Sequence, residues 1–107
     1  MATAFVTIFK TSQIAPGAVV SADVRGVRIA VANVGGTYYA FDDECTHEQC
    51  SLAEYGDLAG TTLTCTCHGS EFDVRTGKAV QLPVVIDVPA YPVKVMDGMI
   101  QVGIPKE

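Results

Sequence analysis

Positive charge is scarce in this chain. Seven Lys and Arg face twelve Asp and Glu across 107 residues, a net charge of -5. That balance excludes a protein held to nucleic acid or to an anionic membrane surface by electrostatics, and basic partners are expected instead. Long apolar runs are missing as well: the stretch Val84–Ile86 is of the kind present, whereas a bilayer-spanning helix needs about 20 apolar residues. The N-terminal MATAFVTIFKTSQIAPG has neither a basic n-region nor a sustained apolar h-region, so no export signal is read and a cytoplasmic location is expected. Charged residues make up only 18% while apolar ones reach 49%, which suits a compact fold rather than a disordered chain. A chain of this length supports one modest core, which excludes a multidomain enzyme.

No glycine-rich nucleotide motif, internal repeat or low-complexity linker is found, and no amphipathic stretch is long enough for a stable helix. What the chain has instead is strand patterning. Ala4–Phe9 reads as a first strand, and Val27, Ile29 and Val31 alternate with Arg28, Ala30 and Ala32 before Gly35-Gly36 and Thr37–Phe41 complete a hairpin. Val93 and Val95 lead to the turn dipeptide Asp97-Gly98, after which Ile100, Val102 and Ile104 resume the period of two. Only Ser51–Tyr55 hints at a helical turn. These patterns predict an all-β single domain, a small antiparallel sandwich or barrel.

Histidine is the other scarcity, with two in the chain and four cysteines. Cys45, His47, Cys50, Cys65, Cys67 and His68 all lie within 24 positions, so composition points to one site. The clusters read Cys45-Thr46-His47-Glu48-Gln49-Cys50 and Cys65-Thr66-Cys67-His68-Gly69-Ser70, with 17 residues between His47 and Cys65. Each half offers a thiolate and an imidazole at short spacing, so two loops can close on one metal centre. Two Cys and two His suit tetrahedral zinc as well as iron-sulfur chemistry. Zinc fingers usually pair Cys with Cys and His with His; one of each per loop favours a [2Fe-2S] centre whose irons take different ligand pairs. With both histidines committed, no Ser-His-Asp arrangement remains, and nothing else supports substrate chemistry.

Cys45-x-His47 followed at this distance by Cys65-x-x-His68-Gly69 resembles the Rieske [2Fe-2S] signature, and the resemblance extends over most of the chain. It implies the Rieske fold: a small all-β base, residues 1–41 and 84–107, with a cluster-binding subdomain at about 42–83. It also implies that Cys45 and Cys65 hold one iron and His47 and His68 the other. Asp73-Val-Arg-Thr-Gly77-Lys-Ala and Tyr91-Pro-Val-Lys-Val95 are similar to the ferredoxins that serve bacterial aromatic-ring oxygenases. Pro83 falls where the family has a third, proline-containing loop over the cluster.

Cys50 and Cys67 depart from that ferredoxin pattern and resemble the extra pair of cytochrome bc-type Rieske proteins, where the corresponding cysteines form a disulfide joining the ligand loops. Ser70 matches the serine that donates a hydroxyl to a cluster sulfur in those proteins, while Phe72 stands where they carry tyrosine. One donor of two is retained, so a potential between the two groups is expected.

The function implied is a one-electron carrier, not an enzyme in its own right. It would take electrons from a flavin-containing reductase and pass them to a terminal oxygenase or other redox acceptor with a basic docking surface. From Asp42 to Val74 there are eight acidic residues and no Lys or Arg, which reads either as a solvated face or as that docking surface. Competing readings are a Rieske subunit of a nitrite reductase, one of a cytochrome bc or arsenite-oxidase-like complex, and, from a different class, a zinc-stabilised binding module.

Overall fold

The computed structural model describes residues 3–43, 51–66, 70–81 and 89–105. Among the described residues three antiparallel sheets form. The first is built from β1 (Thr3–Lys10), β10 (Val93–Met96) and β11 (Met99–Pro105), in the order β1-β11-β10. The second contains β2 (Val19–Val24), β3 (Val27–Val34), β4 (Thr37–Asp42) and β9 (Ala90–Tyr91) in that order. The third contains β5 (Gly56–Ala59), β6 (Thr62–Cys65), β7 (Ser70–Asp73) and β8 (Lys78–Gln81), again in that order.

The predicted terminal hairpin forms with Met96 opposite Met99. Asp97 and Gly98 both take positive φ, 52° and 74°, the pairing whose twist matches a two-residue hairpin and that an Asp-Gly dipeptide tolerates best. Ser51 caps the short helix α1 (Leu52–Tyr55), its hydroxyl accepting from the Glu54 N–H. The helical turn read from Ser51–Tyr55 is therefore present.

The alternation read in β3 is not a buried face and a wet one. Ile29, Ala30, Val31, Ala32 and Asn33 are all buried, because the second sheet is covered on both sides. Ile29 and Val31 pack with Ile14, Ala40, Ile100, Val102 and Ile104 toward the first sheet. Ala30 and Ala32, on the other face, pack with Phe41, Leu52, Leu63, Cys65, Phe72 and Val74. Successive residues of a strand point to opposite faces, so a period of two here separates two cores. The small alanines face the third sheet, leaving room for Phe41 and Phe72. Each large apolar side chain fully buried in these layers stabilises by roughly 1.5–3 kcal/mol.

Strands β2, β5, β6, β7 and β8 were not singled out by the sequence patterns. Those of the third sheet are four residues each, too short for a period of two to stand out from the sequence.

Candidate metal centre

The second Cys/His cluster grows out of the β6–β7 hairpin. In its ladder Leu63 faces Phe72 and Cys65 faces Ser70, so residues 66–69 connect a fixed pair of strand ends. Cys65 is fully buried at the end of β6. It belongs to the same apolar cluster as Leu52, Leu63 and Phe72. On its other flank Cys65 pairs with Gly56, the first residue of β5.

The first cluster, residues 45–50, follows β4 in the sequence. Asp43 stands before it and Ser51 after it, and the two are directly bonded: the Ser51 hydroxyl donates to Asp43 Oδ2 at 2.6 Å. Asp43 also accepts from Ala53 N–H at Oδ1, 2.8 Å, and from Leu52 N–H at its backbone carbonyl, 2.6 Å. Leu52, the next residue after Ser51, lies in the apolar cluster that contains Cys65. The roots of both Cys/His segments are thus brought to one core, although they are separate in sequence.

Of the residues singled out from the sequence, Cys65 and Phe72 are placed in full. Ser70 is placed by its backbone, opposite Cys65. Cys45, His47, Cys50, Cys67, His68 and Pro83 lie outside the described residues. Phe72 is 1% exposed. Its ring takes part in an apolar floor beside Cys65, which excludes water from that side of the thiol. The donor chemistry fits a metal-sulfur centre: a buried thiol at a strand end, with another cysteine and a histidine in the connection that follows.

The acidic stretch is more divided than its composition suggests. Asp43 is fully buried, and its Oδ2 lies 3.2 Å from Arg28 Nε. Asp42 accepts from the Tyr91 hydroxyl at 2.5 Å. Burial first, then this hydrogen bond to Asp42, pushes the Tyr91 phenol well above its ordinary range. Asp73 accepts from Arg75 Nε at 3.1 Å and Nη2 at 2.9 Å. The side-chain bond to Arg75 is the main cause holding the Asp73 carboxyl below its ordinary value. Glu54 and Asp57 remain exposed. Asp57, Thr64 and Glu71 form one cross-strand row on the third sheet, and its side chains point away from the face of Leu63, Cys65 and Phe72.

Sequence reasoning missed Asp43, Arg28 and Tyr91 as site-supporting residues. Ser51 carried a readable signal, a serine three positions before Glu54, which is the pattern of a helix start. Asp43 carried none, since a buried aspartate and a solvated one look alike in sequence.

Comparison with known proteins places these features in a family. Residues 4–92 match the Rieske [2Fe-2S] domain. The chain is 42% identical over 79 residues to the ferredoxin component of the naphthalene 1,2-dioxygenase/salicylate 5-hydroxylase systems of Ralstonia sp., covering 74% of this chain and 75% of that one. Among solved structures it is similar to the ferredoxin of carbazole 1,9a-dioxygenase from Nocardioides aromaticivorans IC177, with TM-score 0.87 and 33% identity over 92% of this chain and 95% of that one. A chain in the complex of reduced oxygenase and oxidized ferredoxin in carbazole 1,9a-dioxygenase gives TM-score 0.86 and 32% identity, covering 92% of this chain and 91% of that one. With the Cys/His spacing, the antiparallel all-β fold and these matches in agreement, the chain belongs to the Rieske [2Fe-2S] domain family.

Proposed function

We propose that this protein is a one-electron carrier holding one Rieske-type [2Fe-2S] cluster and delivering electrons to a terminal oxygenase. In this reading Cys45 and Cys65 ligate one iron and His47 and His68 the other. Residues 42–83 form the cluster-binding subdomain on a base of 1–41 and 84–107. When bound, such a cluster takes up and gives out single electrons at about -150 to +300 mV, above plant-type clusters, because two neutral imidazoles replace two thiolates. The chain's own part is to bury Cys65, hold the strand ends that carry the ligand segments, and keep an apolar floor of Leu52, Leu63 and Phe72 beneath the site.

The observation that carries this reading is coverage. The match to the carbazole 1,9a-dioxygenase ferredoxin runs over 92% of this chain and 95% of that one, and all four proposed ligands fall inside the matched family span, residues 4–92. A flavin-containing reductase as donor and a basic docking surface on the acceptor belong to the same proposal, supported by exposed Glu54 and Asp57. So does a Cys50–Cys67 disulfide between the ligand loops, which would restrict their opening. A cytoplasmic location is proposed from the same function; no helix among the described residues is long and apolar enough to cross a membrane.

The test is chemical. The purified protein is expected to be red-brown, to contain iron and acid-labile sulfide in equal amounts, and to reduce an oxygenase after its own reduction. A colourless zinc protein without a redox-active visible spectrum overturns the reading in favour of a zinc-stabilised module.

A further inference from the structure

Asp42, the last residue of β4, and Asp43, the residue just past it, serve opposite sides of the site. Asp42 belongs to the strand ladder, facing Ile29. Its N–H donates to the Pro89 carbonyl at 2.9 Å and its Oδ1 accepts from Tyr91 at 2.5 Å. The β4–β9 ladder itself is short, pairing Ala40 with Tyr91 and Phe41 with Ala90, so one backbone bond and one side-chain bond extend it. They hold the chain where it returns from the segment that contains Pro83.

Asp43 holds the other side. Its N–H donates to the Arg28 carbonyl at 2.9 Å, and its carbonyl accepts from Leu52. A carboxylate buried without solvent is costly unless its oxygens are paired. Here Oδ1 takes the Ala53 N–H, and Oδ2 takes the Ser51 hydroxyl and the Arg28 guanidinium. Arg28 keeps its side chain 59% exposed, so the pair retains a wet, inexpensive cation and buries only the anion. Both residues counted in the acidic stretch as surface charge are therefore bonded within the fold, Asp43 fully buried and Asp42 half-buried.

We infer that Asp42 and Asp43 form a two-sided clamp that fixes the roots of the first ligand segment and of the Pro83 segment to a single strand end. Asp43 is a positioning residue for the ligands Cys45 and His47, acting through Ser51 and α1. Asp42, through Tyr91, does the same for the segment ending at Pro89. The inference rests on the cluster assignment proposed above. Residues that orient metal ligands from outside the coordination shell commonly carry tenfold to hundredfold effects on metal retention.

The test uses the cluster-loaded protein and follows the visible absorbance in excess chelator, with the EPR spectrum of the reduced form as second readout. Asp43→Ala and Ser51→Ala are each expected to speed cluster loss about tenfold or more and to alter the EPR lineshape. The double variant should lose it no faster than the worse single, because the two act as one unit. Asp43→Asn keeps an acceptor for Ala53 N–H and should recover part of the loss. Ile104→Val, in the core toward the first sheet, reports what lowered stability alone does. If Asp43 and Ser51 variants melt earlier but bleach no faster than Ile104→Val and keep the parent EPR lineshape, the clamp is merely structural and the inference falls. An unchanged bleaching rate in Tyr91→Phe removes Asp42 from it. Should Asp43→Ala fail to accumulate, Ser51→Ala, which loses only a hydroxyl, decides. Parent protein lacking iron and sulfide overturns the cluster assignment and this inference together, whereas loaded parent with insensitive variants overturns this inference alone.

Discussion

Gly56 lies opposite Cys65 in the β5–β6 ladder and has no room for a side chain. A Cβ there would overlap the Leu52 carbonyl oxygen and come within 2.7 Å of Leu63 Cδ1. The Gly56 N–H already donates to that carbonyl as the C-cap of α1, so the backbone cannot retreat without giving up the cap. Gly56→Ala is expected to destabilise by about 1–3 kcal/mol, the usual cost of overpacking. Thermal unfolding together with iron content per chain checks this, and a variant as stable and as fully loaded as the parent would count against it.

Phe72 supplies the second prediction. It packs in the cluster that contains Cys65 and Leu63, on the strand that begins opposite Cys65. Phe72→Tyr is expected to raise the reduction potential with the cluster intact, because a hydroxyl donor favours the extra negative charge of the reduced state. An unpaired hydroxyl in this apolar floor would instead cost about 1–3 kcal/mol of stability. Voltammetry decides: an unchanged or lowered potential in a loaded variant sinks the hydrogen-bond argument.

Tyr91 makes a pH-dependent contribution whose sign is set by its raised phenol pKa. Below the unfolded value of about 10 the tyrosine is protonated in both states and its bond to Asp42 is fully available. As pH rises past that value the unfolded chain releases its proton first, so stability falls toward the raised folded value. Denaturant unfolding in the alkaline range should therefore show a declining stability that is flatter in Tyr91→Phe. At neutral pH that variant should lose about 1 kcal/mol, one hydrogen bond's worth.

Electron transfer to the acceptor should slow as ionic strength rises, since exposed acidic groups steer basic partners only within a Debye length of about 10 Å at 0.1 M salt. Glu54, in α1, and Asp57, in β5, are exposed acids of the acidic stretch. The double variant Glu54→Gln/Asp57→Asn is expected to show a slower rate at low salt and a shallower salt dependence in transient kinetics. A parent rate independent of salt removes the docking role from this face.

The division between legible and illegible features follows the range of the forces involved. The terminal hairpin was readable because an Asp-Gly turn and a period of two are local: Asp97 and Gly98 need positive φ, and Ile100, Val102 and Ile104 need one buried face. Strand β3 was readable as a strand, but not as the wall between two cores. Nothing in Ile29-Ala30-Val31-Ala32 says whether its second face meets water or the third sheet. The short strands β5–β8 exist because they pair with one another, a non-local gain that four residues of sequence do not display.

At the site the same rule holds with more consequence. The sequence by itself determined two Cys-and-His pairs at fixed spacing and the family resemblance they carry. Tertiary structure alone decided which acidic residues are free to meet a partner and which are fastenings. Asp43 and Glu54 are equivalent in composition, yet one is fully buried against Arg28 and Ser51 and the other stands in solvent. Charge is a property of the residue type, whereas desolvation and pairing depend on what the fold brings within hydrogen-bond distance.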